Sequence, residues 1–152
     1  MAIIIRKILS VFLKIFIKIL AKIMISFTKG WKMAEFLIKD AKDGCKFDLL
    51  YDGHVLCTSE VYTSKAACKN GIESVAKNAA LNKIEDQIAG GEKLNNPKFE
   101  LYTDKAGKVR FRLTASNGQI IAVSKDFEAK ADALKVIELI VKQAPKAKIK
   151  EA

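Results

Sequence analysis

The chain has 152 residues, half of them hydrophobic, and a formal net charge of +10. That length allows one domain, or two half-sized ones, with a substantial core. The charge resembles a nucleic-acid signal only until it is divided: residues 1–32 hold seven basic side chains and no acid, leaving 20 basic against 17 acidic groups in the rest. This balance, with no RNP-like aromatic motif, argues against dedicated nucleic-acid binding.

The leader, residues 1–32, has a helical pattern. At 100° per residue Lys7, Lys14, Lys18, Lys22, Lys29 and Lys32 fall within an arc of roughly 80°, while Ile, Leu, Phe and Val cover most of the remainder. Charge-free stretches such as Ile8 to Leu13, itself broken by Ser10, are too short for a secretory signal. Spanning a bilayer is disfavoured as well. Lys14, Lys18 and Lys22 at its centre cost about 2.5 to 3.5 kcal/mol each, against gains of about 0.3 to 0.6 from each large apolar residue. Two readings fit. In one, the helix lies on an anionic membrane surface, with Lys7, Lys14, Lys18, Lys22, Phe12, Phe16 and Trp31 as contacts. In the other, translation starts at Met33: Met33-Ala34-Glu35-Phe36 is a natural beginning, and Lys29-Gly30-Trp31-Lys32 is encodable by a purine-rich ribosome-binding sequence.

From Met33 onward, short strands alternate with turns. Glu35 to Asp40 reads as a strand, Lys42-Asp43-Gly44 as a turn, Lys46 to Tyr51 as a second strand, and Asp52-Gly53 as a two-residue hairpin leading into His54 to Ser59. Thr63 or Ser64 caps a helix reaching about Asn78, with Cys68, Ile72, Val75 and Ala79 on its buried face. Lys83 to Ile88 adds strand character. The same order then returns. Phe99 to Thr103 is a strand, Val109, Phe111 and Leu113 alternate with Arg110, Arg112 and Thr114, and Asn117-Gly118 closes a second hairpin onto Ile120 to Ser124. A helix presenting Ala133, Ile137, Ile140 and Ala144 follows, then Lys148 to Glu151. Gly53 and Gly118, Ser59 and Ser124, Lys65 and Lys130, Ile72 and Ile137, and Ile84 and Ile149 all differ by 65 positions.

The spacing predicts an α+β fold of two β-β-β-α-β repeats: residues 33–89, a linker at 90–97, and residues 98–152. One lone three-stranded sheet with a helix is marginal, so the repeats are expected to join in one antiparallel sheet, with both helices on one face. Exchange of the terminal strands would cover otherwise open edges.

The strings Thr58-Ser59-Glu60-Val61-Tyr62-Thr63-Ser64-Lys65-Ala66 and Asn70-Gly71-Ile72-Glu73-Ser74-Val75 carry a resemblance, as do Lys98-Phe99-Glu100, Phe111-Arg112-Leu113 and Asn117-Gly118-Gln119-Ile120-Ile121 in the second repeat. Over about residues 34–151 the chain resembles the YegP-like family of small bacterial proteins. The resemblance implies a β3-α-β tandem or dimer with swapped last strands, and no established activity, cofactor or catalytic residue. The leader has no counterpart in that pattern, and Val136-Ile137-Glu138-Leu139 replaces its Asn-Gly-Ile-Glu.

No constellation for catalysis emerges, and no cofactor is expected. His54, the single histidine, sits beside a hairpin; Asp40, Asp43 and Asp48 lack a ligand-loop pattern; Ser59 and Ser124 have neither a GxSxG elbow nor a histidine partner and read as backbone caps. Cys45, Cys57 and Cys68 have no paired spacing and read as buried thiols in a reducing cytosol. The sheet face away from the helices offers Arg110, Arg112, Lys46 and Tyr102 as a basic strip for phosphates or an acidic partner, against the plainer reading of a solvated face of mixed charge. The expectation is a non-enzymatic binding or accessory protein of the cytoplasm with a protein partner; the alternative is a protein held at the inner face of the membrane by its leader.

Overall fold

The computed structural model describes residues 1–28 and 32–152, and the chain separates into two units, 1–32 and 33–152. The first unit is one long helix, α1 (Ala2–Thr28). Among the described residues no helix is long and apolar enough to cross a membrane.

The second unit follows the expected order: β1 (Glu35–Ala41), β2 (Gly44–Tyr51), β3 (His54–Thr58), α2 (Lys65–Ala79) and β4 (Ile84–Asp86), then β5 (Lys98–Thr103), β6 (Val109–Thr114), β7 (Ile120–Val123), α3 (Lys130–Gln143) and β8 (Lys148–Glu151). A 3-10 turn at Ala144–Lys146 joins the last two. The eight strands form one sheet in the order β4-β5-β6-β7-β3-β2-β1-β8.

The end strands are exchanged. β4, from the first repeat, pairs with β5 of the second, and β8, from the second, pairs with β1 of the first. These two outer pairings are parallel, whereas all the inner ones are antiparallel, so the sheet is mixed at its rims. To reach the far edge, α2 crosses β6 and β7 and α3 crosses β3, and the two helices touch on the same face. Each exchanged strand is also anchored by charge: Glu151 meets Lys65 and Lys69 at 3.1 Å, and Asp86 meets Lys130. Lys65 and Lys130, like Asp86 and Glu151, are 65 positions apart. The two halves thus make the same latch in opposite directions.

Period two places one core under both helices. Phe36, Ile38, Phe47 and Leu49 from one half, and Phe99, Leu101, Phe111 and Leu113 from the other, are almost wholly buried. Phe36 meets Phe47 edge-on at 5.5 Å and Tyr62 stacks on Phe47 at 6.1 Å; Phe99, Phe111 and Phe127 repeat that triplet at 5.9 and 6.1 Å. Ser64 caps α2, accepting from the Ala67 amide at 3.1 Å. Of the hairpins, the first has the expected form, with Asp52 and Gly53 both at positive φ. In the second only Gly118 is left-handed, and its amide donates to the Ala115 carbonyl at 2.9 Å. That loop is therefore longer than a two-residue turn.

Gly71, which has no counterpart in α3, has a steric reason. A Cβ there would lie 2.3 Å from the Tyr62 hydroxyl and 2.4 Å from its ring carbon. Glycine in mid-helix normally costs about 1 kcal/mol relative to alanine. Here Gly71→Ala is expected to destabilise by about 1 to 2 kcal/mol instead, because the stacked ring must move. Urea unfolding checks this, and Tyr62→Ala should make Gly71→Ala stabilising again.

Candidate functional site

The sheet face away from the helices is a charge network. Arg112 and Glu100 are cross-strand partners on β6 and β5, and their side chains form an ion pair. Glu100 also approaches Lys98 at 3.3 Å, and Lys98 reaches Glu85 of the exchanged β4 at 2.5 Å. Arg112, Glu100, Lys98 and Glu85 therefore alternate in sign across three strands. Beside them Arg110 donates from Nε to Asp104 at 2.6 Å, and the Arg112 guanidinium lies 5.1 Å over the Tyr102 ring.

The fold brings Arg110, Arg112 and Tyr102 together, but not Lys46. That residue is on β2, three strand spacings or roughly 14 Å from β6. Both arginines already have carboxylate partners, a neutralisation that only the strand register reveals.

Part of this face is covered. The linker after β4 folds back over it, so that Lys98 and Glu85 are each only 5% exposed. The Leu94 amide donates to Glu85 Oε2 at 2.6 Å, Lys98 donates to the Leu94 carbonyl at 2.8 Å, and Thr114 Oγ1 donates to Asn96 Oδ1 at 2.9 Å. The Lys98 hydrogen bond, followed by those from Gln87 and the Leu94 amide, holds the Glu85 carboxyl down at about 2. The same contact raises Lys98 above its ordinary value.

Ser59 and Ser124 perform matching duties. Each Oγ accepts from a core-strand amide, Phe47 or Phe111, at 2.9 Å, and donates to the next residue's carbonyl, Glu60 or Lys125, at 2.7 or 2.6 Å. Both hydroxyls are thus committed to the backbone. His54 is exposed at the start of β3, and Asp48, buried on β2, is satisfied by Lys39 and by Thr58 at 2.8 Å. Among the described residues, no group of three or more His, Cys, Asp or Glu side chains is placed to hold a metal ion. The three cysteines are buried and unbridged, and burial pushes Cys57 up to about 12 and Cys68 to about 11. Both are therefore protonated at neutral pH and poor nucleophiles.

On the helix face there is a groove of about 460 Å³ between α2 and the β6–β7 turn, lined by Asn70, Ser74, Lys77, Asn78, Ala115 and Asn117 among others. No window of sequence places Asn70 opposite Asn117, because that requires α2 to lie over the other repeat. Of the leader residues, Lys7, Lys14, Lys18, Lys22, Phe12 and Phe16 are exposed on α1, and Trp31 lies outside the described residues.

A profile described as "Domain of unknown function (DUF1508)" matches twice, at residues 40–86 and 104–151, well over half of the chain and once in each repeat. The chain belongs to the DUF1508 family. It is 36% identical over 124 residues to a UPF0339 protein of Mannheimia succiniciproducens, covering 80% of this chain and 94% of that protein. A UPF0339 protein of Treponema denticola is 52% identical over 54 residues, which is 36% of this chain but 93% of that protein, a single repeat's length. The fold is that of the solution structure of yegP from E. coli, a protein of unknown function (TM-score 0.65, 25% identity, 80% of this chain and 95% of that one). A UPF0339 protein from Shewanella oneidensis also matches (TM-score 0.62, 28% identity, 78% and 90%). The expected YegP-like resemblance and the duplicated α+β fold are thus both found.

The buried pair gives a pH prediction. Glu85 is depressed in the folded chain, so its contribution is complete above its ordinary value of 4.5 and is lost as pH falls toward about 2. Lys98 is raised above 10.5, so its contribution holds below that value and is lost as pH rises through the raised one. Lys98→Met should lower stability at pH 7 and flatten both limbs of a stability-versus-pH curve measured by urea unfolding. An unchanged acid limb would contradict the pairing.

Proposed function

We propose that this chain is a non-enzymatic binding or accessory module held at an anionic membrane surface, on the cytoplasmic side, by α1. The observation that carries this reading is the exposure of that helix's large apolar side chains along its described length, including Leu9 at 62%, Phe12 at 69% and Phe16 at 60%. Exposed apolar surface of that extent on one element marks an interaction site. The lysine stripe selects the partner: an interfacial helix buries its apolar arc among acyl chains while lysines meet phosphate headgroups. Each lysine near an anionic surface contributes about 1 kcal/mol, and deeper burial of the apolar arc adds to it. The lysines that oppose spanning therefore favour lying in the interface.

In this reading the duplicated sheet is the cargo, and it acts by binding. The backbone-committed serines and protonated thiols offer no activated nucleophile, which supports a role without chemistry.

Sedimentation with vesicles tests this. The full-length protein should pellet with vesicles containing phosphatidylglycerol and remain in the supernatant with pure phosphatidylcholine at moderate salt. Replacing Lys14, Lys18 and Lys22 together by Gln should weaken binding by about two orders of magnitude, at about 1 kcal/mol per lysine. A protein that stays soluble beside anionic vesicles contradicts the proposal.

A further inference from the structure

We propose that the groove between α2 and the β6–β7 turn binds an extended peptide segment through its main-chain amides. Comparison of the two halves carries the inference. The equivalent place in the other half lies between α3 and the β2–β3 turn, where Leu139 stands 65 positions after Ser74 and Tyr51 stands 64 before Ala115. Tyr51 and Leu139 both pack on the core. Where that half carries these two large side chains, the small Ser74 and Ala115 line about 460 Å³ of open groove. The duplication thus supplies its own control: the fold carries large apolar side chains at this position in one half and small ones in the other.

The open half also exposes an unsatisfied polar group. Asn78 is only 7% exposed and lines the groove. Its Nδ2 donates to Ser74 Oγ at 3.0 Å, whereas its Oδ1 has no partner among the described residues. No fully enclosed polar side-chain atom of those residues lacks a partner. Oδ1 therefore keeps access through the groove. Ser74, accepting from Asn78, retains its own O–H as a donor. A free acceptor beside a free donor is the complement of one residue of an extended chain, whose own N–H and C=O point to the same side.

The lining narrows the ligand class further. Glu73 and Lys77 at the rim cancel in charge and no aromatic residue is present, so neither a phosphate cradle nor a stacking platform for a base or sugar is formed. Asn70, Ser74 and Asn78, at spacings of four, run along one side of α2 for roughly 12 Å. That is the span of three to four residues of extended chain. An uncharged peptide main chain matches this length and this hydrogen-bonding pattern.

The test uses the full-length, isotope-labelled chain in phosphocholine micelles, titrated with the capped tripeptide Ac-Ala-Ala-Ala-NH2 and followed by amide NMR spectra. Saturable shifts are expected for the side-chain amides of Asn70 and Asn78 and for the Ala115–Asn117 backbone. Ser74→Leu with Ala115→Tyr gives the groove the large side chains of the other half and should weaken binding at least about tenfold while the remaining spectrum stays native. Asn70→Ala, at an exposed helix position, should weaken it without any risk to folding. No saturable shift in the wild type, equal binding by both variants, or the same shifts with glycerol at equal concentration would each overturn the proposal. None of these outcomes depends on whether α1 binds a membrane.

Discussion

Exchange of the end strands is the constraint on which the rest of this structure depends. At the middle of the sheet, where β3 meets β7, only Thr58 and Val123 are paired. A single residue pair joins the two three-stranded halves at this seam. The union is made instead by α2 and α3, which carry β4 and β8 over to the opposite halves and bury one continuous core beneath them. Every residue that positions a helix therefore also positions a strand in the other repeat. The Lys65–Glu151 contact is exposed and the Lys130–Asp86 contact half-exposed, and each is individually worth little, but they mark the symmetry of the arrangement.

Duplication separates structural duties from local ones. The aromatic triplets, the bridging serines and the latch lysines recur, and each has an assigned mechanical task. The divergent positions hold everything else: the cysteines, Gly71 beneath Tyr62, the covered Lys98–Glu85 pair, and Ser74 and Ala115 where the other half has Leu139 and Tyr51. Asn70-Gly71 divides along this line. Gly71 is there to clear a ring, whereas Asn70 faces the groove.

Much of the fold was legible because the signals were local and came twice. Period-two alternation located β6, glycine-bearing turns located both hairpins, and i, i+4, i+7 spacing located the buried faces of α2 and α3. Even the strand exchange followed from the cost of an open edge. What stayed illegible depends on register and on long-range return of the chain. The partners of Arg110 and Arg112 are set by pairing across β5 and by a turn carboxylate, and the separation of Lys46 by the strand order. Nothing local marks Lys98 and Glu85 for burial, because the linker that returns over them is what covers them. The groove requires a helix of one repeat above a turn of the other, which no window of sequence contains.

Two three-stranded halves with almost no ladder at their seam form one cooperative unit, because each repeat holds the other's edge strand. Native-state hydrogen exchange measures this directly, by comparing the amides of Phe36 and Phe47 with those of Phe99 and Phe111. A single shared opening free energy, equal to that of global unfolding, is the predicted result. Two distinct values, with one half opening while the other remains protected, would contradict it.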